Sequence, residues 1–326
     1  MKTIYLIKAL LAVLLLFTLS CKKEAEEEPG DKPKEVTVYF YSNTQTVYEG
    51  QSVTYTDLST ENPTKWEWTF EGGTPSVSNE QNPTVIYKTK GSFSTTLKVS
   101  NNTSSDEQTK PDYITVADHL LNGLVAYYKL DGDGADYSKH QNHGKVYGVI
   151  PVNDRFGNSN SAMFFNDSLS CIDIGDKPIF NLTTAISISV WINASEIQNG
   201  WGAIANKWYS INYHGNGYYL GINPDGLLLK WKVSRDYIES PTSIPTNEWV
   251  HIVTTYDSDS IKMYINNKLI NKVPFTSNYF DNNVPFRIGS QSLMQVLDTG
   301  FHGAIDDLRL YNRVLTKDEI EELFNE

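Results

Sequence analysis

The fold of the longer half of this chain is decided by one stretch, Ile186-Ser187-Ile188-Ser189-Val190-Trp191-Ile192. Four β-branched residues alternate with two serines and a tryptophan, so that one face is apolar and the other is mostly polar. A period of two is that of a β-strand, since successive side chains of a strand point to opposite faces. The stretch therefore predicts a strand with one face in a hydrophobic core.

Strand patterns of the same kind continue downstream. Residues 249–256 and 261–265 are rich in β-branched and aromatic residues, and the Asp257-Ser258-Asp259-Ser260 segment between them predicts a hairpin. Asn266-Asn267 predicts a second tight turn, because Asn tolerates the left-handed backbone conformation that such turns need.

One short helix is predicted at the C-terminal end. Thr316-Lys317-Asp318-Glu319 is a capping box, the arrangement in which the first and fourth residues satisfy each other's backbone N–H groups. Ile320, Leu323 and Phe324 follow at helical spacing, so we expect this helix to pack its apolar face on the sheets.

The N-terminal part also has strand patterns, in residues 36–117. About seven short runs of β-branched and aromatic residues are separated by turns rich in Gly, Pro and Asn, a spacing typical of a small β-sandwich. In Trp66-Glu67-Trp68-Thr69-Phe70 the three aromatic residues share one face, and we interpret the two tryptophans as core residues.

Composition limits the classes of protein to which the chain can belong. Of its 326 residues 40% are hydrophobic, which is enough to build the cores of two domains. The formal net charge of −12 argues against a nucleic-acid partner, because binding phosphates needs a basic surface. We expect an all-β protein with domains at 36–117 and 122–326, joined by a short junction that carries little interface.

Residues 1–20 have the pattern of an export signal. A positively charged start precedes the uncharged run from Ala9 to Leu19, which as a helix spans about 16 Å, roughly half the hydrocarbon core of a membrane. The run ends in Phe17-Thr18-Leu19-Ser20-Cys21, which resembles a bacterial lipoprotein signal. The resemblance implies cleavage before Cys21 and attachment of lipid to its thiol; an ordinary secretory signal is the alternative.

Residues 21–35 hold no large apolar side chain and predict a flexible acidic tether. The run at 22–28, Lys-Lys-Glu-Ala-Glu-Glu-Glu, resembles the export signal of surface lipoproteins in the Bacteroidetes, although a charged spacer without an address explains it nearly as well. The resemblance implies a lipid-anchored protein of the outer membrane, exposed on the cell surface. Cys171 is then the only remaining thiol, and its alternating neighbours predict a buried structural cysteine.

Three motifs in residues 36–117 resemble a PKD domain. They are Gly50-Gln51-Ser52-Val53-Thr54-Tyr55-Thr56-Asp57, Trp66-Glu67-Trp68-Thr69-Phe70-Glu71-Gly72-Gly73-Thr74-Pro75, and Gly91-Ser92-Phe93-Ser94-Thr95-Thr96-Leu97. The family is an immunoglobulin-like β-sandwich, common as a spacer in secreted bacterial proteins. The resemblance implies an extension or adhesion module without chemistry of its own.

Residues 122–326 resemble a laminin-G-like domain of the concanavalin A lectin/glucanase superfamily. The motifs include Gly123-Leu124-Val125-Ala126-Tyr127-Tyr128-Lys129-Leu130-Asp131-Gly132 with Asp136-Tyr137-Ser138 after it, Trp249-Val250-His251-Ile252-Val253, Arg287-Ile288-Gly289, and Gly303-Ala304-Ile305-Asp306-Asp307-Leu308-Arg309-Leu310-Tyr311. The resemblance implies a jelly-roll β-sandwich of two sheets. The expected architecture is thus a PKD sandwich followed by a concanavalin A-like sandwich with a short C-terminal helix.

The same resemblance implies a structural calcium ion where the first and last strands of the domain meet. Calcium needs six to eight oxygen ligands, so carboxylates must converge there. The acids in the two matching motifs that we assign to this site are Asp131, Asp136, Asp306 and Asp307. Asp306 shares a strand face with Leu308 and Leu310, and a carboxylate that faces inward needs a partner or a metal. Exposed turn acids are the alternative.

Catalysis is not predicted, although the superfamily contains glycoside hydrolases. Retaining members place two carboxylates along one strand in a Glu-x-Asp-x-x-Glu run, and residues 122–326 contain no such run. Asp257 and Asp259 have the nearest paired spacing, but they fall in a predicted hairpin tip. His-Glu-x-x-His, Gly-x-Ser-x-Gly and P-loop motifs are also absent from the chain.

Ligand binding is predicted from a concentration of aromatic residues between 200 and 237. Sugar rings have apolar faces that stack on aromatic side chains, while neighbouring polar groups bond the hydroxyls. The candidate residues are Trp201, Trp208, Tyr213, His214, Tyr218 and Trp231. About half of the aromatics in this region should instead face the core, because every second strand residue points inward.

The sequence thus predicts a cell-surface lipoprotein that binds extracellular glycans, of polysaccharides or of glycoproteins. A protein-interaction or adhesion scaffold without a sugar site is the alternative, and an unfamiliar glycoside hydrolase is a third hypothesis.

Overall fold

Two β-sandwiches follow each other in the computed structural model, which describes residues 34–166, 169–195, 200–211, 214–223, 227–279, 282–291 and 300–326. In these ranges no helix is long and apolar enough to cross a membrane. The predicted signal and lipidation site at Cys21 lie outside the described residues. The described members of both hydrophobic cores all lie after residue 34, so a chain of residues 34–326 contains them.

The first sandwich packs a four-stranded sheet on a five-stranded sheet. Its strands are β1 (Phe40–Ser42), β2 (Thr46–Tyr48), β3 (Ser52–Asp57), β4 (Lys65–Phe70), β5 (Gly73–Thr74), β6 (Val77–Ser78), β7 (Thr84–Tyr87), β8 (Gly91–Ser100) and β9 (Ser105–Ala117). The sheet orders are β1-β3-β7-β5 and β2-β9-β8-β4-β6. Trp68 is buried in the core, and the half-buried Trp66 packs against it and donates its indole N–H to Asp57 at 2.7 Å.

The second sandwich packs an eight-stranded sheet on a seven-stranded sheet. Its strands are β10 (Leu124–Tyr128), β11 (Lys145–Tyr147), β12 (Ile150–Val152), β13 (Ala162–Phe165), β14 (Cys171–Gly175), β15 (Ile186–Ala194), β16 (Gly202–Ile211), β17 (His214–Asn223), β18 (Leu228–Val233), β19 (Asp236–Glu239), β20 (Trp249–Tyr256), β21 (Ser260–Ile265), β22 (Lys268–Pro274), β23 (Phe286–Ile288) and β24 (Gly303–Tyr311). The sheet orders are β12-β13-β24-β15-β20-β21-β22, with β10 also pairing β24, and β11-β14-β23-β16-β17-β18-β19.

The predicted strand at 186–192 is buried on both faces rather than on one. Its four β-branched residues lie in the core, as predicted. Ser187 and Ser189 are buried too, because the C-terminal end of the chain and β20 cover them. Ser187 donates to the carbonyl of Arg313 at 2.7 Å, and the Ser189 hydroxyl lies 2.8 Å from His251 Nε2.

The C-terminal helix, α1 (Lys317–Asn325), is placed as its sequence predicts. Thr316 and Glu319 form both hydrogen bonds of the capping box, and Ile320 and Leu323 are buried. Phe324 stacks on Trp191 with ring centroids 5.7 Å apart. Two 3₁₀ turns, His119–Leu121 and Pro178–Phe180, complete the helical elements of the described residues.

Two local predictions are also confirmed. The turn between β21 and β22 uses Asn266 and Asn267 with φ of +46° and +61°, the left-handed conformation that Asn tolerates. Cys171 is buried in β14, and burial raises the pKa of its thiol to about 11. A thiol with that pKa is inert at neutral pH, which agrees with a structural role.

Candidate ligand-binding face of the second sandwich

The outer face of the seven-stranded sheet carries a row of aromatic and cationic side chains. Tyr219 on β17, Lys232 on β18 and Tyr237 on β19 are direct partners across the three strands, so their side chains share one face. The neighbouring row of partners belongs to the core: Leu220, Trp231 and Ile238. We call the outer set the aromatic–lysine face; its members are Trp201, Trp208, Tyr219, Lys230, Lys232, Tyr237 and Glu239.

Lys232 lies at the centre of this face and is surrounded by rings. Its Nζ lies 4.7 Å from the ring centroid of Trp201, 5.4 Å from that of Tyr219 and 5.6 Å from that of Trp208. These are cation–π distances. Burial, together with the nearby charge of Lys230, lowers the pKa of Lys232 to about 8. In the described part of the chain no carboxylate forms an ion pair with it.

Lys230 has a partner of the opposite charge. Its Nζ lies 2.7 Å from Glu239 Oε1, and also 4.1 Å from the ring of Tyr237 and 4.8 Å from that of Trp201. Trp201 therefore contacts both ammonium groups. Tyr237 is 53% exposed and Trp201 is 37% exposed, so these two rings can be reached from solvent.

Two glycines give the rings room to lie flat on the sheet. A Cβ on Gly215 would collide with the indole of Trp208, and one on Gly221 would collide with the hydroxyl of Tyr219. The Tyr219 hydroxyl is buried and has no hydrogen-bond partner among the described residues, and burial raises its pKa. A buried hydroxyl without a partner costs free energy.

The structure separates the residues that the sequence proposed for ligand binding. Trp201 and Trp208 lie on the aromatic–lysine face. Tyr218 and Trp231 are fully buried in the core, so they are not available to a ligand, and that part of the prediction is corrected. Tyr213 lies outside the described residues, and for His214 only the backbone position in β17 is described.

The physical reason for the correction is the register of two hairpins. Tyr218 and Trp231 are each one residue away from a member of the face, and one residue is enough to turn a strand side chain inward. The same register places Lys230 and Lys232 outward, two cations that an aromatic count overlooks. The signal that predicts them is the alternation of lysine with apolar residues in Leu-Leu-Leu-Lys-Trp-Lys-Val at 227–233, which includes β18.

Three of the four predicted calcium ligands, Asp131, Asp306 and Asp307, line one cleft, whereas Asp136 is not part of its lining. Asp306 and Asp307 both lie against one guanidinium nitrogen of Arg155, at 2.7 and 2.8 Å. Consecutive strand residues reach the same partner because the register of β24 shifts here and Asp307 adopts a φ of +46°. Tyr127 also donates its hydroxyl to Asp307 at 2.7 Å. The centre that would hold a cation is thus filled by an arginine.

Asp306, Asp307 and Arg155, which we call the acid–arginine cluster, are largely withdrawn from solvent, and this changes the pKa of Asp306. Burial first, and then the charge of Asp307, raise the pKa of Asp306 to about 7, while Arg155 opposes the shift. The cluster lines a cleft of about 320 Å³ together with Asp131 and Asp154. Asp131 is exposed, but the partial loss of its solvation and the negative charges of Asp307, Asp133 and Asp154 raise its pKa.

Asp136 has a different task. Its carboxylate accepts hydrogen bonds from the backbone N–H groups of Tyr127, Ser138 and Asn142 at 2.7–3.0 Å. It therefore organises the loop after β10. As they stand, the four acids do not fit a calcium ion: two are bound by arginine, one by backbone and one is exposed in the loop.

Comparison with known proteins gives two family matches. Residues 38–116 match the family described as PKD domain, and residues 166–321 match the family described as Concanavalin A-like lectin/glucanases superfamily. The chain holds a PKD domain followed by a concanavalin A-like domain. The fold class expected from the sequence is thereby confirmed. No curated protein matches the chain.

Several solved structures are similar to the chain. Domain 4 of AbnA, a GH43 extracellular arabinanase from Geobacillus stearothermophilus, in complex with arabinotriose, is 22% identical over 61% of this chain and 97% of its own, with a TM-score of 0.47. The binding domain of Paraclostridial Mosquitocidal Protein 1 is 22% identical over 64% of this chain and 53% of its own, with a TM-score of 0.51. The receptor binding domain of botulinum neurotoxin C/D mosaic serotype is 17% identical over 62% of this chain and 51% of its own, with a TM-score of 0.48. The chain spans about half the length of the last two of these structures, and at these identities the likeness concerns the fold.

The junction between the PKD domain and the concanavalin A-like domain contains more contacts than its sequence suggests. His119 lies between two acids, with Nδ1 3.2 Å from Glu49 of the PKD domain and Nε2 3.0 Å from Glu322 of α1. Burial lowers the pKa of His119, but the hydrogen bond to Glu49 and the charge of Glu322 outweigh it, so the pKa is raised. Arg313 donates to the carbonyls of His119 and Asn122. The expectation of little interface is corrected, because polar groups bridge the two domains.

The junction also holds the one metal-compatible group found among the described residues. Ligand atoms of Glu49, Asp118 and His119 lie within 4.8 Å of one another. These atoms are already used: Asp118 accepts from the backbone of Leu120, and Glu49 and His119 face each other. The group is therefore explained as part of the bridge between the domains.

Proposed function

We propose that this chain is a cell-surface lipoprotein whose concanavalin A-like domain binds extracellular glycans, with the PKD domain as a spacer. The observation that carries the glycan proposal is the pair of solvent-accessible rings, Trp201 and Tyr237, on an open sheet face beside hydrogen-bonding side chains. Aromatic rings are suited to the apolar faces of sugars, and Lys230, Lys232 and Glu239 can bond hydroxyl groups around them.

Glycan-array binding of the chain 34–326 tests the proposal. We expect Trp201→Ala and Tyr237→Ala each to weaken binding by about tenfold, equivalent to about 1.4 kcal/mol. Tyr39→Ala is the matched control, because Tyr39 is also an exposed tyrosine but lies in the PKD domain. Absence of binding to every glycan, with binding to a protein partner instead, would favour the adhesion scaffold.

The lipid anchor rests on the sequence around Cys21 and has its own test. We expect Cys21→Ser to move the full chain from the membrane fraction to the soluble fraction or to leave it uncleaved, and metabolic labelling with a fatty acid to be lost. Wild-type behaviour of the Cys21→Ser chain in both assays would contradict the anchor.

We also propose that the chain binds without cleaving. The concanavalin A-like family description covers lectins as well as glucanases, and residues 122–326 lack the Glu-x-Asp-x-x-Glu run of the retaining enzymes. Release of reducing sugar from the glycans that bind best, measured with the chain 34–326, would overturn this part.

A further inference from the structure

The charges on the aromatic–lysine face do not cancel. Lys230 and Glu239 form an ion pair at 2.7 Å, which leaves Lys232 as the surplus cation. Within the described residues Lys232 contacts three rings and has neither an ion pair nor a hydrogen bond to a carboxylate. Ring contacts recover only part of the free energy that an ammonium group loses when it leaves water. The position therefore favours an anion.

This cation is a local feature rather than part of a basic surface. The chain as a whole carries a formal charge of −12, so its overall field repels polyanions. An anionic ligand would have to be selected by a short-range contact, where one correctly placed ammonium group forms a strong charge-assisted hydrogen bond. At pH 7 a pKa of about 8 leaves most of Lys232 charged, and its charge is less well solvated than in water.

The geometry also indicates where the negative charge should sit on a sugar. The ammonium groups of Lys230 and Lys232 lie on Trp201 at 4.8 and 4.7 Å, while Tyr237 adjoins Lys230. A sugar ring stacked on the exposed part of the Trp201 ring would bring the substituents of its rim to Lys232. The ring of Tyr219 lies 5.4 Å from the same ammonium group, and its buried hydroxyl has no partner among the described residues.

We propose that the aromatic–lysine face selects acidic polysaccharides, in which an anionic group on the sugar rim meets Lys232 while the ring stacks on Trp201. This inference rests on the proposed glycan-binding function and adds the chemical class of the ligand. The anion can be the carboxylate of a uronic acid or a sulfate ester, and both share the chemistry of oxygen atoms accepting from an ammonium group.

Matched pairs of polymers test the inference on the chain 34–326. Polygalacturonate is compared with its fully methyl-esterified form, and dextran sulfate with dextran, by calorimetry or affinity electrophoresis at a fixed salt concentration. We expect one acidic polymer to bind at least about tenfold more tightly than its neutral counterpart, because a hydrogen bond to a charged group is stronger than one between neutral groups. The pair that shows the difference identifies carboxylate or sulfate as the preferred anion.

Substitutions assign the preference to Lys232. Lys232→Met keeps most of the side-chain volume and removes the charge, so it should erase the preference by weakening binding of the acidic polymer at least about tenfold more than binding of its neutral counterpart. Lys232→Gln is a second variant in case the first folds poorly, with circular dichroism as the check, and Lys232→Arg should retain the preference. Lys272→Met is the control, because Lys272 is an exposed lysine on the other sheet.

The outcomes separate this inference from the proposed function. Equal binding of acidic and neutral polymers that is lost in Trp201→Ala would overturn the acidic preference and keep glycan binding. An acidic preference that Lys272→Met weakens as much as Lys232→Met does would show non-specific attraction and overturn the role of Lys232. Binding to none of the polymers and to nothing on the glycan array would overturn both.

Discussion

Two clusters of charged side chains in the concanavalin A-like domain differ in how their charges are satisfied. In the acid–arginine cluster, Asp306 and Asp307 both meet Arg155 at hydrogen-bonding distance. On the aromatic–lysine face, the described residues that Lys232 contacts are the rings of Trp201, Trp208 and Tyr219. A buried charge that the chain itself neutralises is part of the structure, whereas one that the chain leaves without a counter-charge is available to a ligand.

The largest change in the free energy of unfolding is expected from disrupting the acid–arginine cluster. Arg155→Met would leave two adjacent carboxylates without their guanidinium, and removing one partner of a buried ion pair costs about 3–5 kcal/mol. Urea unfolding of the chain 34–326 should show this loss in the transition of the concanavalin A-like domain. Lys272→Met, on an exposed lysine, should leave the transition unchanged. A loss below about 1 kcal/mol, the usual value for surface pairs, would show that the pair is not structural.

Calcium binding at this cluster stays a prediction, and the Arg155→Met variant provides a direct test of it. Without the guanidinium the two carboxylates can hold a cation, and a ligand at a hundredfold excess over its dissociation constant adds about 2.7 kcal/mol to the stability of the folded state. We expect 10 mM calcium to raise the melting temperature of Arg155→Met by several degrees and that of the wild type by less.

The control for the calcium experiment is a second substitution in the same variant. Adding Asp306→Ala to Arg155→Met should remove the calcium response, and magnesium should give a smaller one because it demands a tighter octahedral geometry. A rise in the wild type as large as in Arg155→Met would mean that calcium binds elsewhere.

The acid–arginine cluster should also make stability depend on pH. Burial raises the pKa of Asp306 to about 7, against about 3.9 in an unfolded chain. Between these values the folded state holds a proton that the unfolded state has released, so the stability contributed by Asp306 falls as the pH rises from about 4 to 7. Melting curves at intervals of one pH unit should show a shallower decline for Asp306→Asn than for the wild type.

The smallest change in the free energy of unfolding is expected from removing the charge of Lys232. Lys232→Met deletes a partly buried cation that forms no ion pair with any described residue, so we expect the free energy of unfolding at pH 7 to stay within about 0.5 kcal/mol of the wild type or to rise. Lys230→Met should be more destabilising, because it leaves Glu239 without its ion-pair partner. The reverse order in urea unfolding would remove the contrast between the two lysines.

Much of the fold follows from patterns that are local in sequence. The alternation at Ile186–Ile192, the two asparagines at 266–267 and the capping box at Thr316–Glu319 each predict the element that forms. These signals are reliable because a strand period, a left-handed turn and a helix cap are each satisfied by residues a few positions apart. The family motifs fix the order of the two sandwiches in the same way.

The candidate site depended on contacts that no local pattern contains. Arg155 is 151 residues from Asp306, and neither motif that contains the acids includes it. Register decided that Trp231 faces the core while Lys232 faces outward, and only the pairing of β17, β18 and β19 placed Tyr219, Lys232 and Tyr237 in one row. Sequence alone determined which segments become strands, because that choice is made by neighbours along the chain. Tertiary structure decided which charges find a partner, because that choice is made by residues brought together from distant strands.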